Sequence, residues 1–320
     1  MWLLFSILAS ISFGLRGIFY HWTSQQPLSR NALLSGTFFM GAVISGACAL
    51  LLGQSWNASA WIGVQMGLFS FVANASMFQG FKVGKASVVA IITALPAVLV
   101  VIGALVIWGE TLDTAQSAAF LVIIAGVLLV RYSNDITLGN LQGAQWGLLA
   151  LAMFAANDLS GKWSQLLEAP LFPTLFLMFF TGTFCFGAWR WIERRQARLP
   201  RKEAAVAGYG AGSDRPASDS RGGERSIGVN GTGAAVKSWS DRRAFLVGML
   251  IGITNAVGMV LILTAFDLGK AGLVSAVVAS NVLFVLAYTR FYVRERFTRL
   301  ETAGVVTTFG GILMLKLLGG

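Results

Sequence analysis

Apolar runs of membrane-spanning length follow one another along most of the chain. A helix needs about 20 mainly apolar residues to cross the hydrocarbon core of a bilayer. Ten such runs lie at residues 2–20, 31–53, 58–80, 86–108, 115–132, 142–160, 170–190, 244–266, 271–290 and 298–318. Only 12% of the 320 residues are charged, against about 25% in a soluble domain. Most of the surface must therefore face lipid.

The composition also excludes several classes of function. The two cysteines, Cys48 and Cys185, lie inside apolar runs, and His21 is the single histidine, which leaves no disulfide framework and too few ligands for a zinc site. In a soluble protein, a net charge of +10 would indicate binding to nucleic acid. Here the basic residues cluster at the ends of spans, where they orient a membrane protein. We therefore expect no metal, no cofactor and no nucleic-acid partner.

A polar segment interrupts the second half of the chain. Residues 191–243 include GYGAGSDRPASDSRGGERSIGVNGTGAAVK, which has almost no large apolar side chains. Such a composition buries too little surface to offset the entropy lost on ordering, so we predict a flexible basic linker. Its glycines lack the preceding strand and the following Lys-Ser/Thr of a phosphate-binding loop.

The chain repeats itself at two offsets. At 185 residues, three features of the first half match the second, with Gly84-Lys85-Ala86, Glu110 and Gly126 falling on Gly269-Lys270-Ala271, Glu295 and Gly311. At 146 residues, the run 35–42 falls on the run 181–188. A fixed offset of this kind is typical of internal structural repeats. We predict that five spans occur twice.

An odd number of spans per repeat reverses the direction in which the second copy crosses the membrane. We therefore predict an all-α polytopic membrane protein whose ten transmembrane helices form two inverted five-helix repeats, residues 1–138 and 139–320. The linker is inserted between the second and third helices of the second repeat. Inverted repeats are related by a pseudo-two-fold axis in the membrane plane and typically enclose the central site of a secondary transporter.

The run GKASVVAIITALPAVLVVIGALVIWGETLDTAQ and the later AGVLLV resemble the EamA-type domain of the drug/metabolite transporter superfamily. In that family a small-residue helix start, a mid-helix Pro and a terminal Gly-Glu precede a final helix with a late glycine. The second half matches more loosely, because Asn281 stands at the position of Pro96 and Arg294 at that of Gly109. The resemblance implies a ten-helix secondary transporter, often an exporter, of amino acids, other metabolites or drugs.

Basic residues are strongly asymmetric across the predicted membrane. One side carries Arg30, Lys82, Lys85, Arg131, Arg190, Arg194, Arg195, Arg198, Arg242, Arg243, Arg294, Arg296 and Arg299, and the other carries Lys162, Lys270 and Lys316. The positive-inside rule then places the linker in the cytoplasm and both termini outside. Members of the family are commonly drawn with both termini inside. We follow the charge asymmetry and expect a multi-pass cell-membrane protein.

Ionisable groups within spans are costly and therefore mark candidate sites. Arg16 lies in the first helix and Asp158 in the sixth. They could hold the carboxylate and amine of a zwitterion, or Asp158 could carry a coupling proton; the alternative is that each snorkels to an interface. Because the two helices run in opposite directions, we expect a depth difference of roughly 15 to 20 Å and no direct ion pair.

Polar residues near the midplane complete the candidate substrate site. They are Asn74, Thr93, Pro96, Asn157, Asn255 and Asn281, with Gln79 as an extension. Proline disrupts its helix, and we expect Pro96 to free the Ile92 carbonyl and expose the Thr93 hydroxyl. The alternative is that the amides only form hydrogen bonds that hold the helices together.

Charges at the ends of the fourth and ninth helices predict two gates. Lys85 and Glu110 bound the fourth helix, and Lys270 and Glu295 bound the ninth. If these helices pack antiparallel on the pseudo-two-fold axis, Lys85 meets Glu295 on one side and Lys270 meets Glu110 on the other. The alternative is interfacial charge without pairing.

Together these features predict a secondary transporter that exports a small organic metabolite by alternating access. We expect it to act in the lipid bilayer as a monomer or weak homodimer. Substrate identity and coupling, by protons or by exchange, stay open. A lipid-carrier or lipid-headgroup flippase of the same fold and a non-transporting scaffold that docks through its linker remain alternatives. We expect no enzyme, because one histidine and scattered aspartates form no catalytic constellation.

Overall fold

The computed structural model describes residues 1–84, 86–132, 143–209, 239–293 and 298–318, and their regular structure is entirely helical. A 3₁₀ turn over Ala58–Trp61 leads into α3, and a π-helical turn over Thr289–Val293 follows α11. The α-helices are α1 (Trp2–Ser24), α2 (Arg30–Leu51), α3 (Ile62–Val83), α4 (Ala86–Ile92), α5 (Pro96–Trp108), α6 (Thr114–Arg131), α7 (Ala144–Leu166), α8 (Leu171–Tyr209), α9 (Asp241–Leu268), α10 (Ala271–Ala279), α11 (Asn281–Tyr288) and α12 (Arg299–Leu318).

These helices form ten membrane-crossing units, because α4 with α5 and α10 with α11 each make one interrupted span. Among the described residues, nine units are long and apolar enough to cross a membrane. The tenth, α7, has 23 residues but carries polar groups such as Asn157, Asp158 and Lys162. The predicted all-α fold of ten transmembrane helices is confirmed.

Local sequence signals fix the turn between α5 and α6. Gly109 ends α5 in the left-handed conformation, with φ of 67°, which glycine adopts at little steric cost. The Asp113 carboxylate accepts a hydrogen bond from the Gln116 amide (2.8 Å), and the Gln116 side chain accepts one from the Asp113 amide (3.3 Å). This capping box begins α6. The short turn leaves Glu110 at the end of the helix bundle.

Helices of the two repeats pack against each other reciprocally. A Cβ atom on Gly248 of α9 would overlap the carbonyl oxygen of Leu33 on α2, and one on Gly63 of α3 would overlap the carbonyl oxygen of Thr174 on α8. Small residues allow such close approach of helix backbones in membranes. The two matching crossings interlock the repeats and agree with the 185-residue offset between Gly63 and Gly248.

The second helix of each repeat has a different offset from the predicted one. Gly41 faces the ring of Phe179 and Gly182 faces the ring of Phe38, and the two rings meet edge to face with centroids 5.9 Å apart. Gly182 follows Gly41 by 141 residues, as Phe179 follows Phe38. The predicted offset of 146 residues was therefore wrong. Small and aromatic residues recur at similar spacings in α2 and α8, so these sequences match at more than one register.

Helix α8 continues beyond the predicted start of the linker. The prediction began the linker at residue 191, whereas α8 extends to Tyr209 and α9 begins at Asp241. Arg190 donates two hydrogen bonds to the Asp241 carboxylate (2.9 and 3.0 Å), and Arg194 binds the same carboxylate. These charge-assisted bonds join the middle of α8 to the start of α9. The other linker residues, 210–238, lie outside the described part of the chain.

Candidate functional site

A polar cavity of about 280 Å³ lies between the two halves of the helix bundle. Helices of both repeats contribute to its walls. The lining includes all eight residues predicted as substrate-binding candidates, namely Arg16, Asn74, Thr93, Pro96, Asn157, Asp158, Asn255 and Asn281. Gln79 does not belong to the lining. We call this space the central cavity.

Arg16 reaches the central cavity from α1. Its Nη1 donates a hydrogen bond to Oδ1 of Asn255 on α9 (2.5 Å), and its guanidinium lies over the ring of Phe13, 4.6 Å from the centroid. The ring of Tyr20 is 5.9 Å away. Positions 13, 16 and 20 share one face of a helix, so α1 supplies both the cation and the aromatic surface around it. Arg16 lines the cavity instead of snorkelling to an interface.

Asp158 reaches the same cavity from α7. Its Oδ2 accepts a hydrogen bond from the hydroxyl of Ser275 on α10 (2.8 Å), and the neighbouring Asn157 accepts one from the hydroxyl of Ser70 on α3 (3.1 Å). Arg16 and Asp158 thus border one space even though their helices run in opposite directions. The ion pairs of the described residues do not include an Arg16–Asp158 pair.

Both repeats interrupt a helix beside the cavity. Helix α4 ends at Ile92 and α5 begins at Pro96, while the equivalent span of the second repeat breaks at Ser280. The Ser280 hydroxyl lies 3.0 Å from the hydroxyl of Ser10 on α1. Discontinuous helices at corresponding positions of inverted repeats line the binding sites of many secondary transporters. The second break has Asn281 in place of a proline and was not predicted.

The backbone at the first break corrects one expectation. The Ile92 carbonyl is not free, because it accepts a hydrogen bond from the Leu95 amide (3.2 Å). The Thr93 hydroxyl donates to the Val89 carbonyl (2.8 Å). An unpaired backbone group costs several kcal/mol in hydrocarbon, so the chain closes the break with a tighter turn. The Thr93 side chain still borders the cavity.

Helices α5 and α10 pack closely at one end of the central cavity. Gly272 of α10 lies so close to Val101 of α5 that a Cβ atom would overlap it. The symmetry-related helices α4 and α11 form no comparable contact in the described part of the chain. At that opposite end, which carries the basic residues, Phe81 and Arg131 line the cavity. The two ends of the bundle therefore differ.

The predicted ion pair between Lys270 and Glu110 is absent from the described ion pairs. Glu110 instead accepts a hydrogen bond from the Ala271 amide at the start of α10 (2.9 Å), where unpaired amides favour a carboxylate. Lys270 donates to the Thr111 carbonyl and to the Gln116 side chain (both 2.7 Å). Both side chains therefore still connect the turn after α5 with the start of α10. The other predicted gate residues, Lys85 and Glu295, lie outside the described residues.

Burial at this end of the bundle also affects Glu110 itself. Burial raises the pKa of Glu110 above its ordinary value, although Lys162, the Ala271 amide and Lys270 each favour the ionised form. Lys162 donates to the carbonyls of Phe266 (2.7 Å) and Gly269 (2.8 Å) at the end of α9, where a cation stabilises the negative end of a helix. In the sequence, Lys162 was identifiable only as a charge that orients the protein in the membrane.

Other residues of the cavity could not be predicted from the sequence. Ser70 and Ser275 hold Asn157 and Asp158, yet single serines are common in apolar helices and give no signal. The aromatic residues of the wall, which include Phe38 and Phe154, also gave no signal in the sequence, because aromatic residues occur in most of the spans. A usable signal was the helical spacing of Phe13, Arg16 and Tyr20.

Two inverted five-helix halves around a polar cavity, with a broken helix in each half, define a polytopic membrane protein built like a secondary transporter. The sequence model of the EamA-like transporter family matches residues 1–132 and 232–317, more than half of the chain. The protein belongs to this family and is a membrane transporter of the drug/metabolite transporter superfamily.

Comparison with solved structures supports the same fold. One crystal structure of a protein superposes with a TM-score of 0.67 at 15% sequence identity, covering 98% of this chain and 96% of that chain. At this identity the likeness concerns the fold alone. No curated protein matches the chain significantly.

Proposed function

We propose that the protein exports a small zwitterionic metabolite by alternating access, with the central cavity as its binding site. The observation that carries this proposal is the placement of a cation and an acid on one cavity from equivalent helices of the two repeats, Arg16 from α1 and Asp158 from α7. Intramembrane ionisable groups usually serve substrates or coupling ions. Asp158 is the group that would accept a coupling proton.

Both charged groups keep hydrogen-bonding capacity for a ligand. A guanidinium has five N–H donors, and the bond from Arg16 to Asn255 uses one of them. A carboxylate accepts through two oxygens, and Ser275 donates to one oxygen of Asp158. The remaining groups suit a substrate carboxylate and ammonium. Each substrate charge then leaves water at lower cost, because it meets an opposite charge.

The asymmetry between the two ends supports alternating access. In this conformation α5 packs on α10, whereas α4 and α11 do not pack comparably in the described residues. Exchange of conformation between inverted repeats would close α4 on α11 and part α5 from α10. The transport cycle then exposes the central cavity to each side in turn.

The charge asymmetry supports export as the direction of transport. The cavity extends toward the basic end, where Arg131 lines it, and the positive-inside rule assigns that end to the cytoplasm. Loading from the cytoplasm suits an exporter. A cysteine replacing the exposed Arg299 should resist an impermeant maleimide in intact cells, and rapid labelling there would contradict this orientation.

The proposed substrate class is tested by counterflow in proteoliposomes. The panel contains amino acids, choline-like cations, sugars and nucleosides, each measured with and without a pH gradient. We expect saturable exchange of compounds that carry both a carboxylate and an amine, and none of the sugars. Protein-free liposomes are the control. Absence of exchange for every compound, together with lipid scrambling in the same vesicles, would favour the flippase alternative.

A larger side chain in the contact between α5 and α10 should shift the equilibrium between the two conformations of the transport cycle. Leucine at Gly272 would overlap Val101 in the present conformation, and such overpacking costs about 1 to 3 kcal/mol. We expect the Gly272→Leu variant to populate the opposite conformation at least about fivefold more, since 1.4 kcal/mol is a factor of ten.

The shift is measured by labelling a cysteine in the central cavity. Ala97 lines the cavity, and Ala97→Cys is introduced into a chain from which Cys48 and Cys185 have been removed. An impermeant maleimide added at the end that carries Lys270 should react faster when Gly272→Leu is present. Gly310→Leu is the matched control, because a Cβ atom at Gly310 meets nothing within 4 Å. Equal labelling rates in the two variants would contradict the proposal that the contact between α5 and α10 acts as a gate.

A further inference from the structure

A second cavity, of about 410 Å³, lies at the basic end of the bundle. It is bounded by the ends of α1, α2, α3 and α9 and by the middle of α8, and its lining includes Tyr20, Arg30, Phe78, Arg190 and Trp239. Tyr20 is the one lining residue that it shares with the central cavity. The proposed transport reaction does not use this space, which we call the basic-end cavity.

Among the described residues that line the basic-end cavity, one cation, Arg30, is uncompensated. Arg190 is neutralised by Asp241 and Glu193. Arg30, in contrast, takes part in none of the ion pairs of the described residues. Its guanidinium lies over the ring of Phe78, 5.3 Å from the centroid. A stacked guanidinium keeps its edge N–H donors free for a ligand, so the cavity is suited to an anion.

The position of Arg30 strengthens this preference. Arg30 is the first residue of α2, a helix of 22 residues whose N-cap, Ser29, also lines the cavity. The Ser29 hydroxyl accepts a hydrogen bond from the Ala32 amide (3.4 Å) and so pairs part of the first turn, while the dipole of this helix still favours a bound anion near its start. The side chains of Thr23 and Gln26 add neutral polar groups to the same wall. The guanidinium, the helix terminus and these polar groups together suit a phosphate group.

The aromatic residues indicate that the anion is part of a lipid. Trp239 lines the cavity, packs edge to face with Trp22 (centroids 6.1 Å apart) and lies under the guanidinium of Arg243 (4.1 Å). Tyr20 forms another wall. Trp and Tyr concentrate at the depth of lipid headgroups, and basic pockets between transmembrane helices bind anionic headgroups.

We propose that the basic-end cavity binds the phosphate headgroup of an anionic phospholipid, with Arg30 as its main cation. The volume lies within the range of small-molecule sites. The lipid tails extend from the cavity into the surrounding bilayer. A bound headgroup also contacts Tyr20, which forms part of the wall of the central cavity.

Lipid titration of the full-length protein in a neutral detergent tests this site. Binding of phosphatidylglycerol, phosphatidylcholine and soluble glycerol phosphate is measured by native mass spectrometry. We expect saturable binding of phosphatidylglycerol, with weaker binding of the other two. The Arg30→Gln variant should bind phosphatidylglycerol about fivefold more weakly, as expected for the loss of one basic residue near a headgroup.

Two further variants make the test specific. Arg299→Gln is the matched control, because Arg299 is also an exposed first residue of a helix at the basic end, and its affinity for phosphatidylglycerol should not change. Arg30→Lys keeps the charge and should retain the preference for phosphatidylglycerol. Size-exclusion profiles verify the fold of each variant.

Three results would overturn the proposal. They are equal affinities of the Arg30→Gln and unmodified proteins for phosphatidylglycerol, equal binding of phosphatidylglycerol and phosphatidylcholine, and displacement of phosphatidylglycerol by equimolar glycerol phosphate. The last result would assign the cavity to a soluble anion. Because the readout is lipid binding, a failure of the transport proposal does not affect it.

Discussion

We expect the Arg16→Gln variant to transport its substrate about 100-fold more slowly than the unmodified protein, because truncating one partner of a buried charge interaction costs about 2 to 5 kcal/mol. The guanidinium of Arg16 is the cation of the central cavity, and Asn255 fixes its orientation through a 2.5 Å hydrogen bond. Glutamine keeps a polar group at this position but loses the charge that a carboxylate requires. The measurement is the initial rate of counterflow in proteoliposomes.

The substrate itself supplies the control for this prediction. In the unmodified protein, the methyl ester of the substrate should be transported much more slowly than the free acid, because the ester has no carboxylate for Arg16. In the Arg16→Gln variant this discrimination should disappear. Arg16→Lys, which keeps the charge and loses the planar donors, should retain part of it. If Arg16→Gln keeps full discrimination between acid and ester, another residue binds the carboxylate.

We expect Gly248→Ala to lower the free energy of unfolding by about 1 to 3 kcal/mol, the usual cost of overpacking. A Cβ atom at Gly248 would overlap the carbonyl oxygen of Leu33, so α9 must move away from α2 along their crossing. Gly63→Ala should cost a similar amount, because it meets the carbonyl of Thr174 in the same way. The midpoint of thermal unfolding in detergent is measured for both variants, with size exclusion as the assay of folded protein.

Gly310→Ala is the matched control for these two variants. A Cβ atom at Gly310 has no neighbour within 4 Å, and alanine favours a helix interior over glycine by about 1 kcal/mol. Its midpoint should equal or exceed that of the unmodified protein. A Gly248→Ala midpoint as high as that of Gly310→Ala would contradict the close crossing of α2 and α9. A large difference between Gly63→Ala and Gly248→Ala would contradict the reciprocal packing of the repeats.

Much of the candidate site was predictable because lipid limits what polar groups can do. A buried arginine or aspartate in a span must face protein or a cavity, which singled out Arg16 and Asp158. The break at Pro96 was also predictable, because proline removes a backbone donor wherever it occurs. The break at Ser280 was not, since neither Ser280 nor Asn281 interrupts a helix by its covalent structure. It depends on the packing of that segment against α1.

The sequence by itself determined the ten spans, their inverted duplication and eight residues of the central cavity, because apolar length and intramembrane charge are properties of the chain in lipid. The tertiary structure decided the register of α2 against α8 and the partners of Glu110 and Lys270. Small residues recur along α2 and α8, so several registers match in sequence while one fits the rings of Phe38 and Phe179. A hydrogen-bond partner is whichever group the packing brings within about 3 Å, and for Glu110 that group is the amide of Ala271.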